Sequence, residues 1–131
     1  MPIRILIADD NPLVRGALRQ VLENEGQGRW EIVEAENGHE AVILAKQTKP
    51  TLVILDLAMP RKDGFAAARE LRKLMPEIPI LMHTLYWSAR VELEALKAGV
   101  RKTVPKSDSG VLIGAVRELL EANEARGNRV Q

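Results

Sequence analysis

Asp9 and Asp10 close the segment "IRILIADD", Asp56 closes "LVILD", and Thr84 and Lys106 follow two later apolar runs. Taken singly, each has an ordinary use: aspartates feed turns and helix caps, threonine suits a strand, lysine a solvated surface. Their shared position sets them apart, because each stands where a short apolar segment gives out. If those segments lie parallel, three carboxylates, a hydroxyl and an amine converge on one edge of a sheet. Clustered carboxylates repel each other unless a hard cation joins them, and oxygen ligands of this kind suit Mg2+. That ion takes one or two carboxylates, keeps waters and completes its shell with phosphate oxygens, so a phosphoryl group is the natural third party. An aspartate is then an available nucleophile, since a carboxylate can accept a phosphoryl group as an acyl phosphate. Thr84 and Lys106 would supply donors for the added oxygens.

The elements that must position these groups follow from periodicity. Runs rich in isoleucine and valine at 3–8, 30–35, 52–55, 78–82 and 102–104 read as strands. Helical spacing fills the gaps. Asn11 is a plausible cap and Pro12 a first helical residue, after which Leu13, Val14, Ala17, Leu18, Val21 and Leu22 share one face. Similar patterns lie near 39–47, 65–74, 87–98 and 109–122. Asp63 and Gly64 turn the chain into the third helix, with Asp63 as its cap. Five β-α units imply an α/β fold with a parallel sheet, because each crossover needs a helix to return the chain to the same sheet end. Such doubly wound sheets bind ligands beyond the carboxyl ends of their strands.

Composition narrows the classes. The 131 residues suit one domain, and 46% hydrophobic with 28% charged residues is a globular balance. A net charge of +1 gives no general pull toward nucleic acid or anionic membrane. The absence of cysteine excludes a disulfide framework, a thiol nucleophile and a cysteine zinc site, and two separated histidines make a poor metal cluster. No apolar segment approaches the length of a membrane span or a secretion signal. A cytoplasmic protein is the expectation.

In order along the chain, "ADD", "LDLAMPRKDG", Thr84 and "PK" closely resemble the receiver domain of two-component response regulators, over about residues 3–122. The resemblance implies a flavodoxin-like sheet of five strands in order 2-1-3-4-5, flanked by five helices. It divides the chain into a receiver domain at 1–122 and a polar tail or linker at 123–131. It makes Asp56 the phosphoacceptor, Asp10 a direct Mg2+ ligand and Asp9 a helper through water. The main-chain carbonyl of Ala58 would complete the protein's share of the metal shell. Thr84 would hydrogen-bond the phosphoryl oxygens, and Lys106 would pair first with Asp56 and then with its phosphate. The implied partners are a sensor histidine kinase or phosphotransfer protein as donor, and a second copy bound through the fourth helix, fifth strand and fifth helix. Neither nucleic acid nor membrane contact is expected of this domain. The implied function is a switch, catalysing only its own phosphorylation and dephosphorylation, with transcription as the output.

Several positions depart from the family. Thr103 stands where many receivers carry an aromatic, leaving Tyr86 and Trp87 as the aromatics that could take part in switching. Pro105 precedes Lys106 instead of following it. Leu85 replaces a small residue beside the phosphorylation site, where its bulk would hinder attacking water. On the fourth helix, Val91, Ala95 and Ala98 form one stripe and Ala89, Leu93 and Leu96 another nearly opposite, so only one can face the sheet. Two competing functions are weaker. An aspartate-dependent phosphatase or transferase would carry a second acid where Ala58 stands, and a phosphate-independent interaction domain would have no need of Asp56, Thr84 and Lys106 together.

Overall fold

A computed structural model describes residues 2–130, with side chains described through residue 125. The elements alternate along the chain as β1 (Ile3–Ala8), α1 (Pro12–Glu25), β2 (Trp30–Ala35), α2 (Gly38–Thr48), β3 (Leu52–Leu55), α3 (Gly64–Leu74), β4 (Ile80–Thr84), α4 (Ala89–Ala98), β5 (Lys102–Pro105) and α5 (Ser109–Val130). The strands form one parallel sheet in the order β2-β1-β3-β4-β5.

Helix starts follow local chemistry. Asn11, Asn37, Asp63 and Ser88 each accept a hydrogen bond from a backbone N–H in the first turn of α1, α2, α3 and α4, which satisfies donors left without intrahelical partners. Two boundaries differ from the sequence expectation. β4 begins at Ile80, not Ile78, since Pro79 has no N–H to give a ladder. α5 continues past residue 122 to Val130, because the stretch "EANEAR" consists mostly of strong helix formers.

Alternation along the strands sorts the core into two layers. Leu6, Val53, Leu55, Ile80 and Met82 pack beneath α2, α3 and α4. Ile5, Ile7, Leu52, Ile54, Leu81 and Val104 pack against Leu18 and Leu22 of α1 and Leu112 and Val116 of α5. The period of two in a strand extends this sorting past the strand ends. Asp9, Asp56, His83 and Lys106 carry the parity of the second layer, and Thr84 carries that of the first.

On α4, Ala95 and Ala98 are buried while Leu93 and Leu96 are each 53% exposed. The stripe containing Val91 therefore faces the sheet, and the leucine stripe faces solvent.

Candidate metal and phosphoryl site

At the carboxyl edge of the sheet, a cavity of about 480 Å3 is lined by Asp9, Asp10, Asp56, Ala58 and Lys106, with Leu85 and Tyr86 at its mouth. One carboxylate oxygen from each of Asp9, Asp10 and Asp56 lies within 4.8 Å of the others. Asp9 and Asp56 are buried and Asp10 is exposed. The Lys106 ammonium bridges the two buried acids, donating to Asp9 Oδ2 at 2.8 Å and to Asp56 Oδ2 at 3.2 Å.

The two partners of Lys106 feel opposite pressures. Burial and the neighbouring Asp9 carboxylate raise the pKa of Asp56, and Lys106 only partly offsets them. Burial pulls Lys106 down, but its hydrogen bond to Asp9 and the charges of Asp56 and Asp9 outweigh this, so its pKa stands above the ordinary lysine value. A carboxylate of raised basicity is the better nucleophile, and the ammonium beside it stays charged.

The three carboxylates face one ammonium. That imbalance, with a donor set made wholly of oxygen, fits a hard divalent cation such as Mg2+. Asp9 has both oxygens engaged, Oδ1 accepting from the Asn11 N–H at 2.9 Å and Oδ2 from Lys106. Among the described residues, the Asp10 side chain has no hydrogen-bond partner.

Thr84 is the predicted residue that does not line the cavity. It is wholly buried, and its hydroxyl accepts from the Tyr86 N–H at 3.0 Å. The sequence reading missed His83, which does line the cavity. Burial, and then the Lys106 charge, lower its pKa to about 4, so the imidazole is neutral at pH 7. Its parity with Leu81 was the available signal.

Two backbone features hold the loop that carries Asp56 and Ala58. Gly64 donates from its N–H to the Leu57 carbonyl at 2.8 Å, and a Cβ there would press into the Asp56 carbonyl oxygen. Glycine is therefore what lets the start of α3 approach the end of β3. Thr103 is buried on β5, whereas Leu85 and Tyr86 are 73% and 61% exposed.

The family model described as "Response regulator receiver domain" matches residues 5–117. The chain belongs to the response regulator receiver family. It is 35% identical over 120 residues to the uncharacterized transcriptional regulatory protein YxjL of Bacillus subtilis, covering 88% of this chain and 53% of that one. It is 38% identical over 106 residues to the response regulator MprA of Mycolicibacterium vanbaalenii, covering 81% and 45%. The chain thus spans about half the length of these curated relatives. Among solved structures, a CheY-like receiver domain protein from Methanospirillum hungatei superposes with a TM-score of 0.88 at 26% identity, covering 96% of this chain and 99% of that one. Receiver domains act with histidine kinases or phosphotransfer proteins. Among the described residues, no helix is long and apolar enough to cross a membrane.

Proposed function

We propose that this receiver takes a phosphoryl group on Asp56 with Mg2+ bound and switches a partner or dimer surface on α4 and α5 that controls transcription. The observation that carries the reading is the half-buried ammonium of Lys106 bridging Asp9 and Asp56 in a pocket of three carboxylates. Asp10, Asp56 and the Ala58 carbonyl would hold the ion, with Asp9 acting through water because both of its oxygens are occupied. When bound, Mg2+ neutralises the entering phosphoryl oxygens and orients them.

The Asp56 oxygen forms its bond to phosphorus as the donor's P–N or P–O bond breaks. Lys106 then exchanges the lost Asp56 carboxylate for a phosphoryl oxygen, keeping its ion pair with Asp9. The Thr84 hydroxyl leaves the Tyr86 amide for the phosphate, which shifts the loop leading into α4. Leu85 and Tyr86 at the mouth, and Ala58 with no polar group to orient water, slow hydrolysis and favour a persistent signal. Residues 123–131, which include the last turns of α5, are a polar tail or linker after the receiver domain.

Incubation with acetyl phosphate or phosphoramidate tests the reading. Intact mass should rise by one phosphoryl group, and the gain should vanish with a chelator or in Asp56→Asn. An unchanged yield in either control refutes it.

A further inference from the structure

The far pole of the molecule carries a second feature that phosphoryl chemistry does not use. Arg69, Arg72 and Lys73 on α3, Lys97 on α4 and Arg101 ahead of β5 are all exposed and border two adjoining depressions that share Arg72. Among the described residues, no carboxylate lies within 4.0 Å of Arg69, Arg72, Lys73 or Arg101. Lys97 has only Glu94 of its own helix, at 3.6 Å. Other cations are paired, as Arg15 and Arg19 are with Glu34 and Lys62 with Glu70, and those without a pair among the described residues, such as Arg29, Lys49 and Arg90, do not line these depressions. In a chain of net charge +1, five clustered cations with so little compensation form a local field.

Helix ends explain part of it. Arg72, Lys73 and Lys97 lie in last turns, where cations complement the helix dipole. That account leaves out Arg69, which sits a turn earlier, and Arg101, which is in no helix. Nor does it explain the floor. The depression beside Arg72 and Arg101 is lined by Pro76, Ile78 and Leu96, and Leu96 is 53% exposed. The Arg72 stem passes over Gly99, where an added Cβ would lie 2.6 Å from its Cδ.

We propose that this groove between α3 and α4 docks an acidic, amphipathic helical segment of a partner protein. Apolar side chains would fill the floor, and carboxylates would meet the arginine forks, whose planar geometry suits them. The apolar floor speaks against a nucleic-acid backbone, since such interfaces are more polar throughout. The groove lies at the opposite sheet end from Asp56, so docking does not require the phosphoryl group.

A synthetic helix of about 15 residues, with leucines on one face and glutamates flanking them, is the probe. Backbone amide shifts should concentrate at residues 69–73, 76–78 and 96–101 in the unphosphorylated protein. Arg72→Glu combined with Arg101→Glu should weaken binding by about tenfold or more. Arg69→Glu with Lys73→Glu, which leaves the Gly99 contact alone, should do the same while the fold and the phosphoryl mass gain persist. Leu96→Ala should also weaken binding. The proposal is overturned if a peptide with polar residues in place of leucine binds equally well, if the shifts map elsewhere, if duplex DNA displaces the probe from these residues, or if sedimentation shows the groove occupied by a second copy of the chain.

Discussion

At the amino ends of β1 and β2, charges are matched: Arg4 meets Glu31 at 2.9 Å, and Arg117 meets Glu25 while its guanidinium lies 5.8 Å from the Trp30 ring. At the carboxyl ends, one ammonium serves two buried carboxylates, a third stands beside them, and a buried imidazole is held neutral. The same sheet supports both ends, so the difference is one of purpose. Matched exposed pairs add little, whereas crowding like charges into a buried cleft stores destabilisation that a cation and a phosphoryl group relieve. The carboxyl pole should respond strongly to small changes in chemistry, and the amino pole weakly.

The largest effect is steric. In Gly64→Ala the new methyl meets the Asp56 carbonyl oxygen and lies 2.9 Å from the Leu57 Cα, both backbone atoms that cannot swing aside. The fold should lose about 2–3 kcal/mol in urea unfolding, and phosphorylation should fall because Asp56 is displaced. Gly114→Ala is the counterpart: nothing lies within 4 Å of its Cβ, and the helix should gain about 0.5–1 kcal/mol. Equal effects at the two glycines would remove the claim that the loop after β3 is sterically tied to α3.

An effect of comparable size is proton-linked. His83 titrates near 6.5 in the unfolded chain and at about 4 in the fold, so the unfolded state binds a proton that the fold refuses. Stability should be unaffected by this group above pH 6.5 and should fall as pH drops from 6.5 to 4, by up to about 3 kcal/mol. In His83→Met that component is absent, so the stability gap between the two proteins should shift in favour of the variant across this window. Parallel pH profiles would show that His83 is solvated after all.

How legible was this from the sequence? Strand order followed from the resemblance and the Asn11 and Asp63 caps from local chemistry, whereas the Asn37 and Ser88 caps did not, and the strand-end positions of Asp9, Asp10, Asp56 and Lys106 brought them to one cavity. His83 was missed, because a histidine at a strand end has no motif. Only the parity of the sheet, fixed once the register is known, turns it toward Asp9 and Lys106. The same parity turns Thr84 to the other layer. The continuation of α5 to Val130 was missed for another reason, since polar composition resembles a linker until helix propensity is summed. The unpaired cations of α3 and α4 are equally silent in the sequence, where net charge averages them away.

A smaller effect comes from charge removal at the phosphoacceptor. Burial and Asp9 oppose the ionised form of Asp56, so Asp56→Asn should raise stability at pH 7. The raised pKa sets the sign: as pH falls through it, Asp56 takes up a proton in the fold and the advantage of the variant shrinks. Saturating Mg2+ should shrink it too, by binding the wild type more tightly. A variant less stable than wild type in chelator would mean that Lys106 more than offsets the crowding.

The smallest effect tests the amino pole. Arg117 and Glu25 are both substantially exposed, with Nη2 and Oε2 at 2.5 Å. Solvent screens such a pair, and ordering two long side chains opposes its Coulomb energy, so a double-mutant cycle of Arg117→Ala and Glu25→Ala should give a coupling of about 0.5 kcal/mol. Raising salt should erode it, because the Debye length falls to about 3 Å at 1 M. Lys106 and Asp9 have side chains only 10% and 3% exposed, so the cycle of Lys106→Met and Asp9→Asn should give a larger coupling that salt barely changes. If both cycles respond to salt alike, the two poles share one dielectric environment, and the contrast between them lies in charge number alone.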